Sequence, residues 1–376
     1  MRLFAEIVGQ EVAVSILTRS LEQGTTHSYL FTGPAGVGKT AAALALACGL
    51  ACSQGGCGTC TTCTRVRMGL HPDVEIIAPE GNVIRKEDIA AVNLHAAYRP
   101  FEARAKVYIF LEADSLNVEA SNAFLKTLEE PPGHVYFILV TDHAERLLST
   151  IVSRCRSVVF SSVPEAAIRA DLHDRPGVGE EACLLARVAG GNLRYARELA
   201  TSEAARLQRG LLLDLARDLP HGSAFDAEVA LDQVMAAVEG GTAAGQAELA
   251  AELRRSMDWA GDARTRNWLQ KRHDEKLKRH QRRLRTQGLN DVIRVYSGWY
   301  RDLAAVSVGA EAAVLNQDRL QELRNAAQPE RLFGYTRAVL AVRQAQERLR
   351  YNVDARCAIG EMFRSIKEAL TQWPMS

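Results

Sequence analysis

The sequence has no run of the roughly eighteen apolar residues that a helix needs to cross a bilayer, and its charges nearly cancel, with 46 Lys and Arg against 45 Asp and Glu for a formal net charge of +1. The first absence argues against a membrane-spanning helix. The second removes the whole-molecule field that would draw a chain to nucleic acid or to an anionic surface. The opening stretch Met1-Arg-Leu-Phe-Ala-Glu-Ile7 carries charge within its first few residues and has no apolar centre, so it does not read as a secretory leader. We expect a soluble, cytoplasmic protein with no membrane partner. Its 376 residues leave room for two or three domains and a substantial core.

A further absence is local, and it sits opposite an intact motif. Residues Gly33-Pro-Ala-Gly-Val-Gly-Lys-Thr40 form a complete G-x-x-x-x-G-K-[ST] phosphate loop. Its glycines, Gly33, Gly36 and Gly38, would let the backbone N–H groups turn inward around a phosphate at a helix N-terminus, with Pro34 and Val37 completing the cradle. Lys39 would reach the β- and γ-phosphates, and Thr40 would offer its hydroxyl to Mg²⁺. The apolar run His27–Thr32 suits a buried parallel strand before the loop, and the Ala/Leu-rich stretch 41–50 suits a helix after it.

The strand that should hold the metal reads Lys106-Val-Tyr-Ile-Phe-Leu-Glu-Ala-Asp114. A hydrolysing P-loop enzyme ends this strand in an Asp that binds magnesium, often followed by a Glu that orients water. Here Leu111 fills the metal slot and Glu112 the water slot. Leucine cannot ligate magnesium, and Asp114 would have to reach back from beyond the strand. The pairing predicts that ATP or ADP binds, with magnesium only if bound alongside, while hydrolysis is weak or absent.

Of eight cysteines, four crowd into Cys52-x4-Cys57-x2-Cys60-x2-Cys63 among glycines and threonines. Thiolates at this spacing suit a closed, structural zinc site. The alternatives are reduced surface thiols, or a site in which Cys48, one helical turn earlier, replaces a ligand. Cys155, Cys183 and Cys357 are isolated and read as small buried hydrophobes.

Phe4-Ala-Glu-Ile-Val-Gly-Gln10, the phosphate loop, the cysteine cluster behind its helix, Ser121-Asn-Ala-Phe-Leu-Lys-Thr-Leu-Glu-Glu-Pro-Pro132 and Ser153-Arg-Cys155 follow one another in this order. Over about residues 1–200 the chain therefore resembles the bacterial clamp-loader AAA+ subunits, and among them the delta prime type of DNA polymerase III. The resemblance implies an α/β P-loop AAA+ module with a parallel sheet at 1–163, a small helical lid at 164–205 and an all-helical collar at 206–376.

In that family the motor subunits carry Asp-Glu where this chain has Leu-Glu. The delta prime type serves as a stator whose Ser-Arg-Cys arginine, here Arg154, is donated in trans to a neighbour's ATP; on spacing alone Arg154 reads as a surface arginine paired with an acid. Thr141 matches the first sensor position, Arg194 in Gly190-Gly-Asn-Leu-Arg194 the second, and Val8 and Gln10 the region near adenine; Thr141 and Arg194 themselves read equally as a threonine ending a strand and an exposed helix arginine. Implied partners are the tau/gamma motor subunits, delta, the sliding clamp and primed DNA, within a nucleotidyltransferase holoenzyme. The intact phosphate loop departs from the most degenerate stators. The alternatives are a hydrolysing tau/gamma-type motor, or a zinc-stabilised nucleotide-binding interaction protein outside replication.

Beyond residue 200 the chain is rich in Ala, Leu and Arg at helical spacing. Its densest charge run, Arg264 to Arg285, sets ten Lys and Arg against Asp274 and Glu275. So little of it is apolar that we expect it exposed and weakly ordered, as a solvated helix or linker, with nucleic-acid contact as the alternative. Trp268, Trp299 and Tyr300 read as packing residues.

Overall fold

The computed structural model describes residues 2–79, 83–173, 175, 177–257, 263–351 and 353–371. The chain divides into two units, Met1–Ala200 and Thr201–Ser376. Among the described residues the first unit carries β1 (Ser28–Thr32), β2 (Val74–Ile77), β3 (Lys106–Leu111), β4 (Val135–Thr141) and β5 (Arg156–Val159). These pair in the order β2-β3-β4-β1-β5, parallel throughout. Around them run α1 (Glu11–Gln23), α2 (Lys39–Ala51), α3 (Thr61–Arg67), α4 (Lys86–Ala96), α5 (Val118–Glu129), α6 (Ser149–Val152), α7 (Glu165–His173), α8 (Ala182–Ala189) and α9 (Leu193–Thr201).

The central strands are apolar without alternation, because a parallel sheet covered by helices is buried on both faces. Tyr29, Leu30 and Phe31 of β1 and Phe137, Ile138 and Leu139 of β4 are inaccessible to solvent. Phe124 of α5 stands edge-on to Phe137, with ring centroids 5.0 Å apart, and lies 4.9 Å from the ring of Phe110. This docks the Ser121–Pro132 segment on the sheet. The register sets Thr32 beside Thr141 and Leu111 beside Val140, so the loops after β1, β3 and β4 leave the sheet along one edge. Ligands of open parallel sheets bind at that carboxyl edge. The arrangement is an α/β module with a five-stranded parallel sheet, and the phosphate loop leaves its carboxyl edge. Helices α7 to α9 span most of the stretch 164–205.

The second unit consists, among the described residues, of helices: α10 (Glu203–Asp218), α11 (Ala224–Met257), α12 (Ala263–Ser307), α13 (Leu320–Ala326), α14 (Leu332–Arg350) and α15 (Ala355–Thr371), with short 3₁₀ turns. Its core gathers Leu212, Val234, Tyr296, Trp299, Phe363 and Ile366. Tyr300 is fully buried and donates its hydroxyl to the carbonyl of Ala216 at 2.7 Å, so Trp299 and Tyr300 are packing residues. The side chain of Trp268 lies outside the described residues. No helix among them is long and apolar enough to cross a membrane.

One expectation is narrowed and another needs correction. Of the two forms expected for the basic run, the structure has the helix: residues 264–285 lie within α12, with Asp274, Lys278, Arg283 and Arg285 exposed and His273 buried. Lys and Arg are good helix formers, and the packed second half of the same helix, through Tyr296 and Trp299, supplies a nucleus from which helix propagates at little cost. Cys183 and Cys357 are exposed. On α8 the buried positions are Ala182, Leu185, Ala186, Val188 and Ala189, and on α15 they include Ala358, Ile359 and Met362. Each cysteine therefore falls on the opposite face of its helix.

Candidate nucleotide and metal sites

The phosphate loop joins β1 to α2, and its backbone can be made only by glycine at two points. Gly33 has φ 134°, and a Cβ there would stand 2.0 Å from the carbonyl oxygen of Phe160. Gly36 has φ 77°, and its Cβ would stand 2.1 Å from Oδ1 of Asn192. Gly38, φ 105°, precedes the first helical residue. Val37 is buried, Thr40 half-buried and Pro34 exposed at the rim. Lys39 is only 5% exposed, and its ammonium donates to the carbonyls of Gly33, at 2.6 Å, and Pro34 and pairs with Asp142 at 2.7 Å. The loop thus carries one buried cation at the head of a helix, where N–H groups and dipole both favour an anion.

Leu111 ends β3 as the sequence has it. Glu112 follows with φ 50° and ψ 50°, the left-handed conformation, and is the one non-glycine residue with positive φ among the described residues. Its side chain is exposed. Asp114 does turn back to the sheet edge, where its Oδ1 accepts the hydroxyl of Thr141 at 2.5 Å. Thr141 is buried, and its oxygen also accepts the N–H of His143 at 2.8 Å.

Gln10 is buried and exchanges two hydrogen bonds with the backbone of Ser161: Nε2 donates to its carbonyl at 2.7 Å, and its N–H donates to Oε1 at 3.1 Å. The amide therefore ties the N-terminal segment, with half-buried Val8, to the chain leaving β5. Arg194 meets the phosphate loop through its backbone, whose N–H donates to the carbonyl of Gly36 at 3.1 Å. Its guanidinium pairs with Glu198 one helical turn on.

Arg154 follows α6 and is half-exposed. Its Nε donates to Oε1 of Glu129 at 2.7 Å, Nη2 meets the same oxygen, and Nη1 donates to the carbonyl of Thr150 at 2.9 Å. None of these partners belongs to the phosphate loop. Arg154 is thus separate in its bonding from this chain's own site.

Cys52, Cys57, Cys60 and Cys63 converge, with all four Sγ atoms within 4.8 Å of one another. Cys52 Sγ lies 3.6 Å from that of Cys60 and 4.0 Å from that of Cys57. A disulfide needs about 2.05 Å, whereas a tetrahedron with metal–sulfur bonds of about 2.3 Å spaces its sulfurs by roughly 3.8 Å. Backbone N–H groups aim at the sulfurs, from Gln54 to Cys52 at 3.3 Å, Gly58 to Cys63 at 3.4 Å and Cys63 to Cys60 at 3.5 Å. The N–H groups of Thr59 and Cys60 bring the Cys57 thiol down to about 6, while burial pushes Cys63 up. A coordinated cation deprotonates thiols outright, so the set could hold a metal. Cys48 is not part of it. It is buried in the helix packing, its sulfur on the carbonyl of Cys63, and desolvation pushes its thiol up to about 11.

Arg154 has the acidic partner that its spacing allowed, Glu129, while three contacts escaped the sequence: Asp142 on Lys39, Asn192 against Gly36, and Glu198 on Arg194. Only the last has a readable signal, an Arg and Glu four apart on a helix.

Comparison with known proteins bears on this geometry. A family model described as "DNA polymerase III, delta subunit" matches residues 9–164. The chain is 28% identical to DNA polymerase III subunit delta' of Bacillus subtilis over 363 residues, 96% of each protein. It is 38% identical to DNA polymerase III subunit tau of Escherichia coli over 208 residues, which is 52% of this chain and 32% of that one. The chain thus spans about a third of the tau-type relative. Among solved structures, a gamma subunit-related protein of Thermotoga maritima shares 16% identity with a TM-score of 0.42, covering 95% of this chain and 99% of that chain.

Proposed function

We propose that this relative of the bacterial clamp-loader subunits works as a delta-prime-like stator of the DNA polymerase III clamp loader, in the cytoplasm. It assembles with tau/gamma motor subunits and delta, and it helps load the sliding clamp on primed DNA. Within the assembly the first unit contributes a rigid P-loop module, the second a helical collar, and Arg154 a positive charge for the γ-phosphate of a neighbour's ATP. Such a guanidinium stabilises charge on the transferring phosphoryl group and is worth about 10³ to 10⁵ in rate.

The observation that carries the reading is Leu111 beside an intact phosphate loop. Lys39 and Thr40 have the chemistry to hold ATP or ADP, with Val8, Gln10, Thr141 and Arg194 around it, but β3 ends without a carboxylate for magnesium. With leucine at position 111, Glu112 would lack the adjacent magnesium ligand that a water-orienting glutamate works beside. Asp114, bonded to Thr141, supports the Thr141 sensor position more than a replacement ligand. Cys52, Cys57, Cys60 and Cys63 would hold one zinc ion, which stiffens the loop behind α2 and takes no part in chemistry.

A motor-type reading draws on the higher local identity to tau. It requires this chain to hydrolyse ATP by itself, and Leu111 weighs against that. The test is steady-state ATPase of the purified chain and of the complex it forms with motor and delta subunits. We expect no turnover from the single chain and DNA-stimulated turnover from the complex. Substantial ATPase by the single chain, abolished by Lys39→Ala, would establish a motor and overturn the stator.

A further inference from the structure

We infer that Glu129 is the positioning residue of Arg154, an inference that rests on the trans-acting role proposed for that arginine. Glu129 closes α5, and Glu130-Pro131-Pro132 behind it stops the helix, so its backbone is pinned. A carboxylate in this last turn faces the negative end of the helix dipole, where Lys or Arg is the favoured residue. Helix chemistry therefore does not account for it. The pairing with Arg154 does.

Glu129 Oε1 accepts from Nε at 2.7 Å and from Nη2, while Nη1 donates to the Thr150 carbonyl at 2.9 Å and to Ser153 Oγ at 3.4 Å. Every nitrogen of the guanidinium is engaged, and one Nη2 N–H is left over. The plane of a long, flexible side chain is thereby fixed before any phosphate meets it. A transition-state donor works best when its orientation costs nothing at the moment of reaction. Both partners are partly exposed, at 33% and 47%. Ion pairs of this kind add little to folding stability, so the contact is better explained by geometry than by the fold.

The experiment uses the chain reconstituted with motor and delta subunits. At saturating ATP and primed DNA, Glu129→Ala should lower kcat at the site Arg154 serves by about tenfold, a small part of the roughly 10³ to 10⁵ that such an arginine supplies. KM for ATP and the melting temperature should not move. Glu129→Gln keeps an acceptor for Nε and should recover much of the rate, and Glu129→Ala added to Arg154→Ala should cost nothing more. If Arg154→Ala is slow but Glu129→Ala turns over at the wild-type rate, the positioning role is overturned and the arginine's role stands. If Arg154→Ala itself is unchanged, the underlying reading fails, and this inference with it.

Discussion

Gly36→Ala tests the joint between the phosphate loop and the helix that carries Arg194. The new methyl would start 2.1 Å from Oδ1 of Asn192, so Asn192 must swing away. That side chain is 4% exposed and accepts the N–H of Tyr195 at 2.9 Å, capping α9. Losing the cap costs about 1 kcal/mol, and holding alanine at φ 77° adds roughly 1–2 kcal/mol. The sum, about 2–3 kcal/mol, should lower the melting temperature of a unit of this size by about 5–10 °C. Differential scanning calorimetry reads the shift. Tryptophan fluorescence supplies a control, because Trp259, Trp268, Trp299 and Trp373 all lie in the second unit. Asn192→Ala removes the cap but opens the space, so the double variant should fall short of the sum of the singles by about 1 kcal/mol. A Gly36→Ala protein as stable as wild type, or strictly additive singles, would refute the reasoning.

Elemental analysis should find one zinc per chain, and Cys57→Ser should lose it. Wild-type protein free of zinc, with all four thiols titrating freely while folded, would reject the site. Asp73, whose carboxylate accepts the N–H groups of Phe101 at 2.6 Å, Glu102 at 2.8 Å and Ala103 at 2.9 Å, is held below the usual carboxylate range by those bonds, against the burial that opposes them. Because the folded value is the lower one, its stabilisation is complete above the ordinary carboxylate pKa and is lost as pH falls through the folded value. Asp73→Asn should therefore destabilise by about 2 kcal/mol at neutral pH, since the amide turns one donor toward another. In urea titrations the gap to wild type should narrow below about pH 4, and a gap independent of pH would contradict this.

Much of the first unit was legible because its signals are local. β1, β3 and β4 are unbroken apolar runs, and Gly33 and Pro132 mark where β1 and the α5 segment end. The cysteine set was legible for the same reason, since ligand spacing along a short loop nearly dictates convergence. What stayed hidden depends on register and on helix faces. Asp142 reaches Lys39 only because β1 and β4 are neighbours with Thr32 beside Thr141, and nothing in the strand sequences orders the sheet. Arg154 and Glu129 meet through the docking of α5 beside α6. Arg264–Arg285 left helix and linker both open, because a segment with so little apolar content takes its helical form from the packed half of the same helix and not from a face of its own.

The central claim is that Arg154 serves another subunit's ATP and not this chain's own. The most direct measurement is DNA-stimulated ATPase of the reconstituted loader with Arg154→Ala in this chain, alongside a check by size-exclusion chromatography that the ring still assembles. The account predicts an intact assembly that loses turnover at one site, with nucleotide affinity of the isolated chain unchanged. An intact assembly hydrolysing ATP at the wild-type rate would contradict it.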